Sequence, residues 1–189
     1  TQEQLVRGFL SAAQSNLNDY QIARQFLAPE YAQQWDPYHG VFVSDGSKPY
    51  RADGDAAGVL SVPLIGTADA TGRLLPVLVG ASTDFRFEFA KVGDEWRISS
   101  APVGIILDRD FFVQIWSAHQ LYFLGPGDRL VPETRWFLTR TALATEIVGA
   151  LIAGPSERLS QSVRSAFPPG VKLTNSTVPV IDGRARVDI

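Results

Sequence analysis

The spacing of apolar positions changes along this chain of 189 residues, and the changes mark its elements. Over residues 1–35 the spacing is helical. Leu5, Phe9, Ala12 and Ala13 fall on one face of a first helix. Asn18 and Asp19 interrupt that face and suit the cap of a second helix, which carries Tyr20, Ala23, Phe26 and Leu27. Pro29 fits the first turn of a third short helix, PEYAQQW, which stops before Pro37. From Val41 the period shortens towards two. Strands are expected over 41–43 and 59–67, with polar turn residues between them. A longer strand is expected over 73–90. In it Phe85, Phe87 and Phe89 alternate with Arg86 and Glu88, the mark of a half-buried antiparallel strand. Gly80 is read as a bulge or bend that lets so long a strand curve. Gly93 and Asp94 form a turn, and Trp96 and Ile98 continue the alternation. A last strand, disturbed by Pro102 and Gly104, ends near Leu107.

Three helices followed by a curved antiparallel meander predict an α+β domain with helices over the concave face of the sheet. Residues 1–107 resemble the nuclear-transport-factor-two-like cone. The likeness rests on FLSAA…DYQIARQFLAPEYAQQW and on FRFEFAKVGDEWRISS.

Breakers dominate the last third. Residues 108–116 read as a connector with one helical turn capped by Asp108. A hairpin over 121–137 turns at Gly125, Pro126, Gly127 and Asp128, and Pro132 confines its strand to an edge or a bulge. Leu143, Ile147, Ala150 and Leu151 form a helical stripe that ends at Gly154 and Pro155. Ser156 is placed to cap a further helix with Leu159, Val163 and Phe167 on its face. Two runs, 171–180 and 184–189, flank Asp182 and Gly183, a hairpin signal. Val178, Val180 and Val187 are expected to pair onto the first hairpin, under the helix face of Leu143, Ile147 and Leu151. The expected division is a cone-like domain over 1–112 and an α/β module over 113–189.

Composition narrows the function classes. Cysteine is absent, which excludes disulfides, thiol nucleophiles and thiolate metal sites. A net charge of −3 with no basic face argues against nucleic acid as a partner. No apolar run approaches the roughly 20 residues that span a bilayer. Methionine is also absent and Thr1 opens directly into a helix. The chain is therefore expected to be a segment of a longer protein, with any signal peptide or lipid anchor upstream.

Candidate chemistry is sparse. His39 and His119 stand far apart and outside metal-ligand spacing, so each reads as a loop or interface residue. Asp53, Gly54 and Asp55 begin like a calcium loop but lack the later carboxylates, which favours a solvated turn. Asp108 and Asp110 offer paired carboxylates, yet a helix cap and a surface acid explain them better. Asn175 opens a glycosylation sequon. No cofactor, no metal and no catalytic residue is expected. Tyr31, Trp35, Phe87 and Trp96 are candidates for a cone pocket, or for the core that fills it. Trp116, Trp136 and Phe137 are candidates for a domain junction or a partner surface.

LYFLGPGDRLVPETRWF, ALIAGPSERLSQSVRSAFPPGVKL and VPVIDGRARVDI together resemble the LpqB family of actinobacterial lipoproteins. The second and third segments resemble the front half of a GerMN domain, so the C-terminal module is expected to be incomplete. The resemblance implies an extracytoplasmic, lipid-anchored, non-catalytic accessory protein in cell-envelope homeostasis and division. It also implies a partner, the extracellular part of an MtrB-type two-component sensor kinase. The competing reading is a small-ligand binder or enzyme that uses the cone pocket.

Overall fold

Thr1 begins the fold with a capping box. Its hydroxyl accepts from the Gln4 amide, and the Gln4 side chain returns to the Thr1 backbone. The computed structural model describes residues 1–15, 17–75, 77–78, 80, 82–139 and 142–189. They form two units, Thr1–Ala70 with Leu74–Val113, and Thr71–Arg73 with Gln114–Ile189.

The first unit is α+β. Helix α1 (Gln2–Ala12) buries Val6 and Phe9. Asn18, Asp19 and Tyr20 all take left-handed backbone angles, which Asn and Asp tolerate better than other residues. Tyr20 then starts α2 (Gln21–Arg24) without a side-chain cap bond, so the expected capping by Asn18 or Asp19 does not form. Helix α3 (Pro29–Gln34) has its proline in the first turn. The strands follow as β1 (Gly40–Ser44), β2 (Tyr50–Ala52), β3 (Ala57–Asp69), β4 (Leu74–Leu75), β5 (Ser82–Val92), β6 (Glu95–Ser100) and β7 (Ile105–Asp108).

The sheet runs β6-β5-β3-β1-β7, with β2 and β4 also paired to β3. Its named pairs are antiparallel except β1 with β7, which is parallel. Register shifts at Val43/Ser44 and at Glu88/Phe89 are bulges, and they curl the sheet. Phe85, Phe87 and Phe89 turn to the buried side while Arg86 and Glu88 face solvent, as the alternation predicts. The phenyl ring of Phe9 meets that side, 6.4 Å from Phe87. The free edge of β6 is covered by the link between α2 and α3. Ile98 donates to the Phe26 carbonyl at 2.9 Å, and Ala28 donates to the Ile98 carbonyl at 2.7 Å.

The long strand expected over 73–90 is instead two strands, β4 and β5, both on β3. Gly80 lies in the turn between them with a positive φ of 84° rather than inside a strand. Positions 76, 79 and 81 of that stretch lie outside the described residues. Strand β2 forms where only turn residues are expected.

Gly104 sits where β1 and β7 start side by side. Its φ is +91°, and a Cβ there would stand 2.4 Å from the Gly40 carbonyl oxygen. Gly104→Ala is therefore expected to lower stability by more than about 1 kcal/mol, read as a shift of the denaturant midpoint.

Helix α4 (Arg109–Ile115) runs across the boundary in sequence between the units. The second unit opens with β8 (Trp116–Leu124) and β9 (Leu130–Leu138), a nine-by-nine antiparallel ribbon whose first strand starts five residues earlier than expected. Helices α5 (Leu143–Ala153) and α6 (Glu157–Ser160) follow, then β10 (Val180–Ile181) and β11 (Arg184–Ala185). Leu121, Phe123, Phe137 and Val163 form the core, with Leu143, Ile147 and Leu151 of α5 packed on it, as the helical stripe predicts.

Two expectations for this unit fail. Helix α6 ends at Ser160, because Arg164 is drawn into extended pairing with Leu124 by two backbone bonds of 2.8 Å. The Asp182–Gly183 hairpin does form, but as a separate two-stranded ladder that does not pair with β8 or β9. Only Val178 of its approach is buried, with its amide on the Thr145 hydroxyl at 2.9 Å. Val180 and Val187 remain exposed.

Candidate functional site

The rings proposed for a cone pocket separate into two groups. Trp35 and Phe87 are buried, Phe87 completely. Phe9 and Trp35 stack edge to face at 5.2 Å, and Tyr20 packs on Trp35 at 5.9 Å. The Arg24 guanidinium lies 5.4 Å above the Trp35 ring and donates to the Ala32 and Trp35 carbonyls. The ring that could have faced a ligand is thus held from several sides. Tyr31 is half-buried, and its hydroxyl donates to the Ala101 carbonyl at 2.6 Å. Burial raises its pKa.

Trp96 is different. It alternates correctly with Ile98, but it is 36% exposed whereas Ile98 is wholly buried. It lies next to the turn at Gly93 and Asp94, at the rim of the helix layer. Thr1, Leu5 and Phe26 border a shallow depression beside it, and the Lys91 ammonium lies 5.7 Å over its ring. The alternation fixes the face of a strand and not how far the covering layer reaches.

The residues proposed for a junction or partner surface also divide. Phe137 is buried in the core of the second unit, and Trp116 and Trp136 are half-buried. The Trp136 amide donates to the Gly72 carbonyl at 2.6 Å, within that unit. His119 lies in strand β8, not in a loop, and its Nε2 is 2.8 Å from the Ser117 hydroxyl. The same face of the ribbon carries Glu133 and Arg135. The Arg135 side chain is 3% exposed. Its Nη2 and Nε bond the Glu133 carboxylate at 2.6 and 3.1 Å, and Nη1 donates to the Thr71 carbonyl at 3.0 Å. Nη2 also reaches the Gly154 carbonyl at 3.3 Å, and the Ser156 amide donates to Glu133 at 3.3 Å. Five groups from three stretches of sequence meet at this one ion pair, whose work is to tie the end of α5 to β9.

His39 is exposed, just before β1. Asp53 pairs with Arg86 on the solvent side of the sheet, as a turn residue would. Asp108 is bound by Ser44 and Lys48. Among the described residues no cluster of three His, Asp or Glu is arranged to hold a metal. None of their helices is long and apolar enough to cross a membrane.

Sequence reasoning missed one surface. Leu74, Leu75 and Leu78 stand out from the first unit, Leu78 at 83% exposure, and Ile65 of β3 is exposed as well. The signal was present in LLPVLV, an apolar run read as part of one long strand. Only the absence of polar alternation in that run distinguishes it from the segment at Phe85.

Comparison with known proteins agrees with this architecture. Residues 1–113 match the family described as Lipoprotein LpqB, N-terminal domain, and residues 120–189 match the one described as Sporulation and spore germination. The chain is 32% identical over 174 residues to Lipoprotein LpqB of Cutibacterium acnes, covering 92% of this chain and 29% of that protein. Lipoprotein LpqB of Rhodococcus jostii is 31% identical over 185 residues, covering 95% of this chain and 30% of that protein. Lipoprotein LpqB of Mycobacterium tuberculosis is 31% identical over 199 residues, covering 97% of this chain and 32% of that protein. The chain therefore spans about three tenths of the length of these relatives. No solved structure matches it. With an α+β domain matched over 1–113 and a spore-germination-type module after it, the chain belongs to the actinobacterial LpqB lipoprotein family.

Proposed function

We propose that this chain is the non-catalytic interaction part of a lipid-anchored, extracytoplasmic envelope protein. In this reading it serves cell-envelope homeostasis and division as an accessory of an MtrB-type sensor histidine kinase, whose extracellular domain it contacts. The observation that carries the reading is how the first unit distributes its apolar side chains. Phe9, Trp35 and Phe87 pack together on the buried side of the sheet and fill the space a cone-pocket enzyme would keep for substrate. Leu74, Leu75 and Leu78 face outward, where a partner can cover them. The name lipoprotein carried by the relatives supports the membrane anchor, placed upstream of Thr1. The surface offered to the kinase is the apolar stretch of Leu74, Leu75 and Leu78.

Titration calorimetry of the chain against the purified kinase ectodomain tests this. Saturable binding is expected. Leu78→Glu should weaken it at least tenfold with an unchanged melting temperature, since Leu78 has almost no packing to lose. Absence of binding, together with turnover of an ester, phosphate, glycoside or peptide substrate that His39→Ala abolishes, would overturn the reading.

A further inference from the structure

Strands β1 and β7 run parallel and end side by side, each finishing an apolar run on a polar residue, Ser44 and Asp108. Ser44 is completely buried. Its single hydroxyl proton is shared between the Leu107 carbonyl at 3.1 Å and Asp108 Oδ1 at 3.3 Å. The Lys48 ammonium pairs with the same Oδ1, and its side chain is only 13% exposed. Helix α1 brings Arg7 to this place. Its Nη2 donates to the Lys48 carbonyl at 2.8 Å and to Glu3 at 3.1 Å. Between these groups lies a cavity of about 170 Å³, lined also by Ser11 and Gln14 and by the apolar Leu10 and Ile106. That is room for one small polar molecule.

Charges of both signs line the cavity, Lys48 paired with Asp108 and Arg7 with Glu3. Among the described residues, Asp108 Oδ2, Arg7 Nη1, the Ser11 hydroxyl and the Gln14 side-chain amide have no hydrogen-bond partner within the protein, so each can turn to a ligand. Two cations and one carboxylate line it. A simple anion would meet Asp108, and a simple cation would meet Arg7 and Lys48. A ligand with both charges on neighbouring atoms satisfies all three. The buried Ser44 hydroxyl lies within reach of the Asp108 carboxylate and can steady it.

We propose that this cavity binds a small α-amino acid as its zwitterion. The carboxylate lies between Arg7 and Lys48, the ammonium on Asp108 Oδ2, and a short side chain against Leu10 and Ile106. Ser44 is a positioning residue that orients Asp108. The site shares no lining residue with the packed rings of Phe9, Trp35 and Phe87 and does not depend on the kinase partner.

Amide chemical-shift titration of the isotope-labelled chain tests it, with glycine, L-alanine and D-alanine as probes. Saturable shifts confined to residues near 7–14, 44–48 and 106–108 are expected for at least one of them. Acetate and ethylammonium, which each carry half of the charge pattern, should bind at least tenfold more weakly. Arg7→Gln should abolish the alanine response with melting unchanged, because the Arg7 side chain is 44% exposed. Asp108→Asn should remove the preference for alanine over acetate. Ser44→Ala should weaken alanine binding more than acetate binding. Lack of saturable shifts with all three amino acids, acetate binding as tight as alanine, or an unaltered response in Arg7→Gln would each overturn the proposal.

Discussion

Arg135→Ala is expected to cost about 3–5 kcal/mol, the loss typical when one partner of a buried ion pair is removed. The substitution leaves the Glu133 carboxylate, itself 10% exposed, without its cation. It also withdraws the donors to the Thr71 and Gly154 carbonyls, both met inside the second unit. Loss on this scale is a large fraction of the stability of a small unit, so residues 114–189 should unfold at much lower denaturant than residues 1–70. Hydrogen exchange read peptide by peptide follows the two units separately, and far-ultraviolet dichroism follows the whole. The double variant Arg135→Met with Glu133→Leu should recover most of the loss, since a packed apolar pair often replaces a buried ion pair at little cost. A single-variant effect below about 1 kcal/mol would place the pair among surface salt bridges and contradict the account.

Acid should reveal the same pair. Burial alone would raise the Glu133 pKa, but hydrogen bonds from Ser156 and Arg135 and the Arg135 charge outweigh it and hold the carboxyl below its ordinary range. A depressed folded-state pKa contributes stability that is complete above the unfolded carboxylate value, about 4.3. That contribution is lost as pH falls through the lower folded value. Glu133→Gln should therefore flatten the acid limb of stability against pH. An unchanged limb would show that other carboxylates control it.

Phe87→Ala is expected to cost about 3–5 kcal/mol, because the ring is completely buried and its removal leaves a cavity between α1 and β5. The effect should appear in the first unit alone. Trp96→Ala should cost much less, since its ring is 36% exposed. Equal losses at both positions would contradict the placement of Trp96 at the rim. A Phe87→Ala variant with an unchanged melting temperature would show a pocket where the structure has a core.

The parts of this fold that were legible in the sequence are those set by local period. Phe85, Phe87 and Phe89 declare their face by alternation, and Leu143, Ile147 and Leu151 declare theirs by helical spacing. The illegible parts depend on contacts far along the chain. Lys48 and Asp108 are 60 residues apart, and nothing local to either announces their pairing. The buried place of Arg135 is equally hidden, because an arginine in an alternating strand reads as a solvent-facing residue. Arg164 leaves its helical pattern for a backbone pairing with Leu124, which no propensity encodes. The Asp182 and Gly183 turn was legible, but its partner strands were not, since a turn signal names a hairpin and not the sheet it joins.

The central claim is that this chain works by presenting an outer surface to a protein partner. Hydrogen exchange of the chain with and without the purified kinase ectodomain tests it most directly. The account predicts slowed exchange over peptides that contain Leu74, Leu75 and Leu78, with exchange at Phe87 and Trp35 unchanged. Exchange identical with and without the ectodomain, or protection confined to the interior around Phe87, would contradict it.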